Sequence, residues 1–117
     1  GVIIPVQCEC FALEGIAALI ENNEKVRAGH NPALEIEGVH RTMYDARRRL
    51  TGEVSQKLEQ CFGERVFKTV IPRNIRLAEA PSHGLPVLRY DRLSKGALSY
   101  LALASELRKR LKLKTAA

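Results

Sequence analysis

Three short apolar runs, each followed by a stretch of helical spacing, leave this chain few folds to choose from. The runs are Gly1 to Val6 (G-V-I-I-P-V), Leu34 to Met43 and Arg65 to Ile71. Between the first two, Phe11 to about Arg27 places Ala12, Ile16, Leu19, Ile20 and Val26 near helical spacing, with Glu14, Glu21, Glu24 and Lys25 on the remaining surface. That is the pattern of an amphipathic crossover helix, and Gly29 to Pro32 breaks it. After the second run, Thr51 is a candidate N-cap for a helix carrying Val54, Leu58, Cys61 and Phe62, with Gly63 stopping it. Leu85 to Leu88 is expected to add a short extended piece. Ser94 then caps a final helix whose apolar stripe is Ala97, Tyr100, Leu101, Ala104, Leu107 and Leu111. Its last turns hold Arg108, Lys109, Arg110, Lys112 and Lys114, where cations complement the helix dipole. The order β-α-β-α-β-α predicts an α/β fold, a mostly parallel sheet flanked by helices.

The first run is continuous rather than alternating, so it is expected to be buried on both faces. It also begins at the first residue, which predicts that the chain is part of a larger unit. With 117 residues, of which 45% are hydrophobic, the chain suffices for one compact core and not for two ordinary domains.

Loops that follow parallel strands lie at the carboxyl edge of the sheet, where open α/β folds bind ligands. Two such loops stand out. Val70 to Gly84 reads V-I-P-R-N-I-R-L-A-E-A-P-S-H-G, a strand ending at an X-Pro step and passing into a basic, Asn-bearing turn. The other, after Asp45, carries Arg47, Arg48 and Arg49. Both are expected on one rim. The formal net charge of +6, from 19 Lys and Arg against 13 Asp and Glu, suits a polyanionic partner. Taken alone, Arg47 to Arg49 also fits a solvated helix approach, as most charge runs do.

Cys8, Cys10 and Cys61 are odd in number, lack C-x-x-C spacing and accompany no signal-peptide pattern, so reduced thiols in the cytoplasm are expected. Cys8 and Cys10 have no nearby His or Asp to complete a metal set and are read as structural. His30, His40 and His83 are scattered, and no nucleophile arrangement follows from them. Glu79, in A-E-A-P, is read as organising its loop. No apolar run approaches the roughly 20 residues needed to span a bilayer, and a soluble chain is expected.

The segment P-R-N-I-R-L-A-E-A-P-S-H-G-L-P-V-L-R-Y-D from Pro72 to Asp91, followed by S-K-G-A-L-S-Y-L-A-L-A-S-E-L, resembles the ParA/Soj chromosome-partitioning ATPases. So do V-I-I-P-V-Q-C-E and F-A-L-E-G within Val2 to Gly15, and E-I-E-G-V with T-M-Y-D-A-R up to Arg47. The likeness covers nearly the whole chain and corresponds to roughly the carboxyl-terminal half of that family. It implies a partial P-loop NTPase-like fold, with residues 1–117 forming the carboxyl-terminal part of one ParA-type domain. It also implies that ATP sits at the carboxyl edge between two subunits, with Met43, Pro72, Arg73 and Asn74 lining the adenine. Nonspecific double-stranded DNA would be held by Arg47 and Arg76, and Arg48 with Arg49 makes the DNA-facing loop more basic than usual. A ParB-type protein is the implied partner, and a cytoplasmic, nucleoid-associated location the implied setting.

Phosphoryl transfer in this class needs a glycine-rich loop for the phosphates and acidic residues for Mg²⁺ and the attacking water. No G-x-x-x-x-G-K-[ST] occurs in the chain, and S-K-G at Ser94 to Gly96 is no substitute. ATP and Mg²⁺ therefore belong to the full-length family. This chain alone is expected neither to hydrolyse ATP nor to retain bound nucleotide. An exposed edge on the first strand predicts a homo-oligomer. The basic end of the last helix resembles the membrane-contacting end of MinD-type relatives. Leu107, Leu111 and Leu113 give it little bulk, and P-R-N with E-A-P-S favours ParA, so no membrane contact is expected. The second functional class is an autonomous basic DNA-binding module or adaptor without a nucleotide role.

Two departures from the family pattern bear on the fold. His40 and Arg41 stand where relatives generally carry apolar residues in a central strand, and an unpaired buried Arg is costly. Either that strand is an edge or these side chains find partners. Cys10 stands where an aromatic residue is common.

Overall fold

The computed structural model describes residues 1–8 and 12–116, with the side chains of 12, 13 and 114–116 outside the description. Expectations resting on Cys10, Phe11, or the side chains of Ala12 and Lys114 thus lie outside the described residues. Three parallel strands form one sheet in the order β1-β2-β3: β1 Val2–Gln7, β2 Ile36–Tyr44 and β3 Val66–Pro72. Helix α1 (Ala12–Gly29) connects the first pair and α2 (Arg49–Phe62) the second, with Gly63 at φ 56° closing α2 as its composition predicts. A 3₁₀ turn, Gly63–Arg65, leads into β3. Beyond β3 come α3 (Ile75–Glu79), a 3₁₀ turn Ala80–His83, α4 (Val87–Tyr90) and the long α5 (Lys95–Ala116). The α/β class with a parallel, helix-flanked sheet is the one the sequence predicts.

The strand order runs straight across the sheet without reversal. Right-handed crossovers then place consecutive helices on the same face. The main core agrees: Ile4, Val6 and Cys8 of the β1 segment, Val39 of β2 and Val66 of β3 meet Ile16 and Ile20 of α1 and Val54 and Leu58 of α2. The opposite face buries Phe67 and Ile71 with Ala97 of α5, so α5 covers β3 and leaves β1 bare on that side.

This sidedness corrects the expectation for β1. Ile4 and Val6 are buried, whereas Pro5 faces solvent and Ile3 is 41% exposed, because among the described residues no helix lies over that side of the strand. Three smaller expectations change as well. Thr51 is not the N-cap of α2. A turn from Asp45 to Arg48 starts the helix three residues earlier, with Arg48 at the cap, and the buried Thr51 hydroxyl faces the Cys8 carbonyl at 3.5 Å. Leu85 to Leu88 is not extended, since Pro86 sits at the cap position and Val87–Tyr90 winds one helical turn. The docking face of α5 is rotated from the predicted stripe. Ala97 and Leu107 belong to both, but Tyr100, Leu101, Ala104 and Leu111 are exposed, and the more buried side carries Leu103, Glu106 and Arg110 instead. Ser94 does cap α5, its hydroxyl oxygen accepting from the Ala97 amide at 3.1 Å.

Glu106 and Arg110 explain the rotated face. Among the described residues β3 has a strand neighbour on one side only, so its other main-chain groups need partners. The Glu106 carboxylate accepts from the Lys68 amide (2.8 Å), the Thr69 amide (2.9 Å) and the Thr69 hydroxyl (2.8 Å). Arg110 donates to the carbonyls of Arg65 and Val66, both at 3.0 Å, and its guanidinium lies 4.0 Å from the centre of the Phe67 ring. Polar side chains do on this edge what a further strand would do.

His40 and Arg41 both lie in the central strand and both are buried. The terminal nitrogens of Arg41 find partners, donating to Ser55 Oγ (2.8 Å) and to the carbonyls of Phe67 (2.8 Å) and Lys68 (3.2 Å), with Glu59 at 3.7 Å, whereas its Nε is buried without a hydrogen-bond partner among the described residues. His40, pointing to the other face, meets Tyr100 edge-on at 6.5 Å, and its Nδ1 is buried with no hydrogen-bond partner among the described residues. Burial holds its imidazole below the ordinary value of 6.5. The unfolded chain therefore binds the proton first as pH falls. The His40 contribution is complete above pH 6.5 and is lost progressively below it, at no more than about 1.4 kcal/mol per pH unit. Urea midpoints are expected to fall between about pH 7.5 and 5.5, and His40→Val is expected to flatten that fall. An unchanged slope in the variant rules His40 out as its source.

Candidate functional site at the carboxyl edge of the sheet

Because the strands are parallel, β2 and β3 end on the same edge. Tyr44 is paired with Pro72, and the Arg73 amide donates to the Tyr44 carbonyl at 3.2 Å. Met43 and the Pro72–Asn74 segment are thus neighbours across two adjacent strand ends. Met43 has φ 54°, in the left-handed region that a long side chain rarely adopts, and the register shifts between Arg41 and Tyr44. Such backbone at a strand end re-aims the residues that follow.

Asn74 is the N-cap of α3. Its Oδ1 accepts from the Arg76 amide at 3.1 Å, which fixes the side chain and leaves two amide N–H donors and one oxygen lone pair beyond that bond. The sequence offers this rim no glycine-rich loop, and among the described residues no cluster of His, Cys, Asp or Glu could hold a metal ion.

The first basic loop is organised by Asp45. Its Oδ1 accepts from the Arg47 amide and from Arg47 Nε, both at 3.1 Å, its Oδ2 accepts from Arg47 Nη2 at 3.3 Å, and Arg48 Nε stands 3.8 Å away. The hydrogen bonds from Arg47 hold the Asp45 carboxyl below the usual carboxylate range. Even so, the Arg47 side chain is 92% exposed. Arg49, paired with Glu53 at 3.4 Å, is 93% exposed, and Arg48 is about half exposed. These guanidinium groups are open to solvent.

Arg76, on the second loop, is held differently. Nη1 lies 3.3 Å from Glu79 Oε2 and Nε 3.3 Å from Asp91 Oδ2, leaving the side chain 47% exposed. Glu79 also accepts a short hydrogen bond from the Tyr90 hydroxyl, and the Tyr90 ring stacks on His83 at 4.7 Å between centres. The hydroxyl of Tyr90, with the charge of Arg76, holds the Glu79 carboxyl below its ordinary range. Glu79 thus organises its loop through named partners.

All eight rim residues anticipated from the sequence lie at or just after the carboxyl ends of β2 and β3: Met43, Arg47, Arg48, Arg49, Pro72, Arg73, Asn74 and Arg76. Sequence reasoning missed Asp45, Tyr90 and Asp91. An Asp two residues before Arg47 carries the signal of an Asx turn. Asp91 reaches Arg76 only through the fold of the intervening turns, and no local spacing reveals it.

Residues 4–87 match the family described as the CobQ/CobB/MinD/ParA nucleotide binding domain. The chain is 58% identical over 110 residues to an uncharacterized protein of Pseudomonas putida, covering 94% of this chain and 42% of that protein. It is 51% identical over 106 residues to the chromosome-partitioning ATPase Soj of Treponema pallidum, covering 91% of this chain and 42% of the relative. Against the chromosome partitioning protein ParA of Caulobacter vibrioides it is 50% identical over 106 residues, covering 91% and 40%. The chain spans about two-fifths of the length of these relatives.

Proposed function

Because this chain belongs to the CobQ/CobB/MinD/ParA nucleotide-binding family, we propose that it is the carboxyl-terminal part of a ParA/Soj-type partition ATPase. In this reading residues 1–117 supply the adenine-facing rim and the DNA-facing arginines of one ATPase domain, and the phosphate-gripping loop is encoded outside them. The observation that carries it is the shared edge: the exposed Arg47–Arg49 loop and the P-R-N-I-R loop stand on adjacent parallel strand ends.

Met43, Pro72, Arg73 and Asn74 would hold the base of ATP, which with Mg²⁺ supplies the hydrolysable phosphate. The chain's own task is then to position that base and to present Arg47, Arg48, Arg49 and Arg76 to the duplex. A guanidinium fork grips a phosphate through two parallel N–H donors and reads no sequence when it touches only the backbone. The ATP-bound dimer would bind nonspecific double-stranded DNA on the nucleoid, and a ParB-type partner would complete the segregation of chromosomes or plasmids. Among the described residues no helix is long and apolar enough to cross a membrane.

Fluorescence anisotropy with a labelled nonspecific duplex, across a salt series, tests this reading. Binding that appears only when the chain is joined to the rest of a ParA-type domain and given ATP supports it. Strong, salt-sensitive binding by the chain alone, indifferent to ATP, supports the autonomous DNA-binding module instead. In the binding-competent form, Arg47→Ala is expected to weaken all duplex sequences alike and to reduce the log–log salt slope by about 1. A sequence-dependent loss contradicts the phosphate assignment.

A further inference from the structure

Arg47 and Arg76 stand on the same rim with opposite electrostatic settings. Asp45 faces two guanidinium groups, Arg47 and Arg48, so that contact set keeps a positive charge in excess. Arg76 faces two carboxylates, Glu79 and Asp91, both at 3.3 Å, so its contact set carries a negative charge in excess. A phosphate approaching Arg76 must compete with two carboxylates already paired to its Nη1 and Nε. The clamp is built from two pieces of chain: Glu79 at the end of α3, and the end of α4, where Tyr90 fixes Glu79 through its hydroxyl and Asp91 follows directly. Asp91 is itself held in place, its Oδ1 accepting from the Leu93 amide at 3.3 Å and its carbonyl accepting from the Ser94 hydroxyl at 2.8 Å.

We propose that Glu79 and Asp91 are internal competitors for Arg76, an autoinhibitory contact that keeps this arginine off DNA phosphate until the clamp opens. Arg47 is then the standing electrostatic contact, and Arg76 is the conditional one. The inference rests on the DNA-binding reading above and adds to it a means of switching affinity without moving the first loop.

The test uses the same anisotropy assay, on the form of the protein that binds duplex, with Asp91→Asn and, separately, Glu79→Gln. Each substitution removes one charge and keeps an oxygen acceptor, so the Leu93 and Tyr90 hydrogen bonds survive. Either variant is expected to bind nonspecific duplex about three- to fivefold tighter. The log–log salt slope is expected to steepen by about 0.9, the signature of one further phosphate neutralised. Adding Arg76→Ala to Asp91→Asn is expected to abolish the gain. If wild type binds duplex and both single variants bind equally or more weakly, the carboxylates position Arg76 rather than compete for it, and the inference falls while the DNA reading stands. If neither wild type nor any variant binds duplex in either form, both fall together.

Discussion

Arg41→Ala is expected to lower the unfolding free energy by about 3 kcal/mol, enough to shift the thermal midpoint by more than about 10 °C in a domain of this size. The physical reason is the number of acceptors it serves. One guanidinium supplies Ser55 Oγ at 2.8 Å and the carbonyls of Phe67 and Lys68 at 2.8 and 3.2 Å, tying the central strand to α2 and to β3. Hydrogen bonds from a charged donor contribute roughly 1.5–3 kcal/mol each, and a buried acceptor left alone costs about 1–3 kcal/mol. Glu59 contributes less, because its side chain is 62% exposed and its charge is screened. Arg41→Lys should recover only part of the loss, since an ammonium cannot span three acceptors with the geometry of a planar fork. Urea unfolding of the two variants beside wild type decides the matter. A loss below about 1 kcal/mol in Arg41→Ala would mean that the site relaxes around the missing side chain.

Glu106→Ala is expected to cost about 2–3 kcal/mol and to open the edge of β3 to other chains. The carboxylate now serves two amides and a hydroxyl of β3 and pairs with Arg110 at 3.3 Å. Without it, Lys68 and Thr69 present unpaired donors on a strand edge, and Arg110 loses the anion that steadies it over Phe67. Light scattering should show concentration-dependent association of the variant under conditions where wild type shows none beyond its own state. The pH dependence has a definite sign. Burial pushes the Glu106 carboxyl up, and the bonds from Thr69 and Lys68 together with the charge of Arg110 outweigh it, leaving the group below its ordinary 4.5. Its stabilisation is therefore present above about pH 4.5 and is lost as pH falls further. Glu106→Gln should show a flatter acid limb than wild type. An acid limb of equal steepness would place the titrating group elsewhere.

Much of the rim is legible in the sequence because its positions follow from order along the chain. Parallel strands joined by helices place every strand's exit on one edge, so Met43, Arg47 and Pro72 to Arg76 emerge together once the β-α-β rhythm is recognised. Local chemistry is legible too: Gly63 ends α2 and Ser94 starts α5 where their backbone requirements predict. The departures share a different cause. Thr51 has the chemistry of a cap when residues are judged one by one, whereas the Asp45 turn has already set the start of α2. Hydrophobicity alone selects one stripe on α5, whereas the face that docks is selected by the main-chain groups of β3 that Glu106 and Arg110 satisfy.

The order of elements, their parallel pairing, the shared edge and, through its motifs, the family are all written in the order of residues. Those properties depend on periodicity and on the handedness of short connections, which are encoded locally. Packing alone sets which side of β1 is covered, how a buried Arg41 is satisfied, and which arginines on the rim are open or clamped. Each of those outcomes turns on contacts between residues far apart in the chain, such as Arg41 with Phe67 or Arg76 with Asp91, whose energies exist only once the layers have come together.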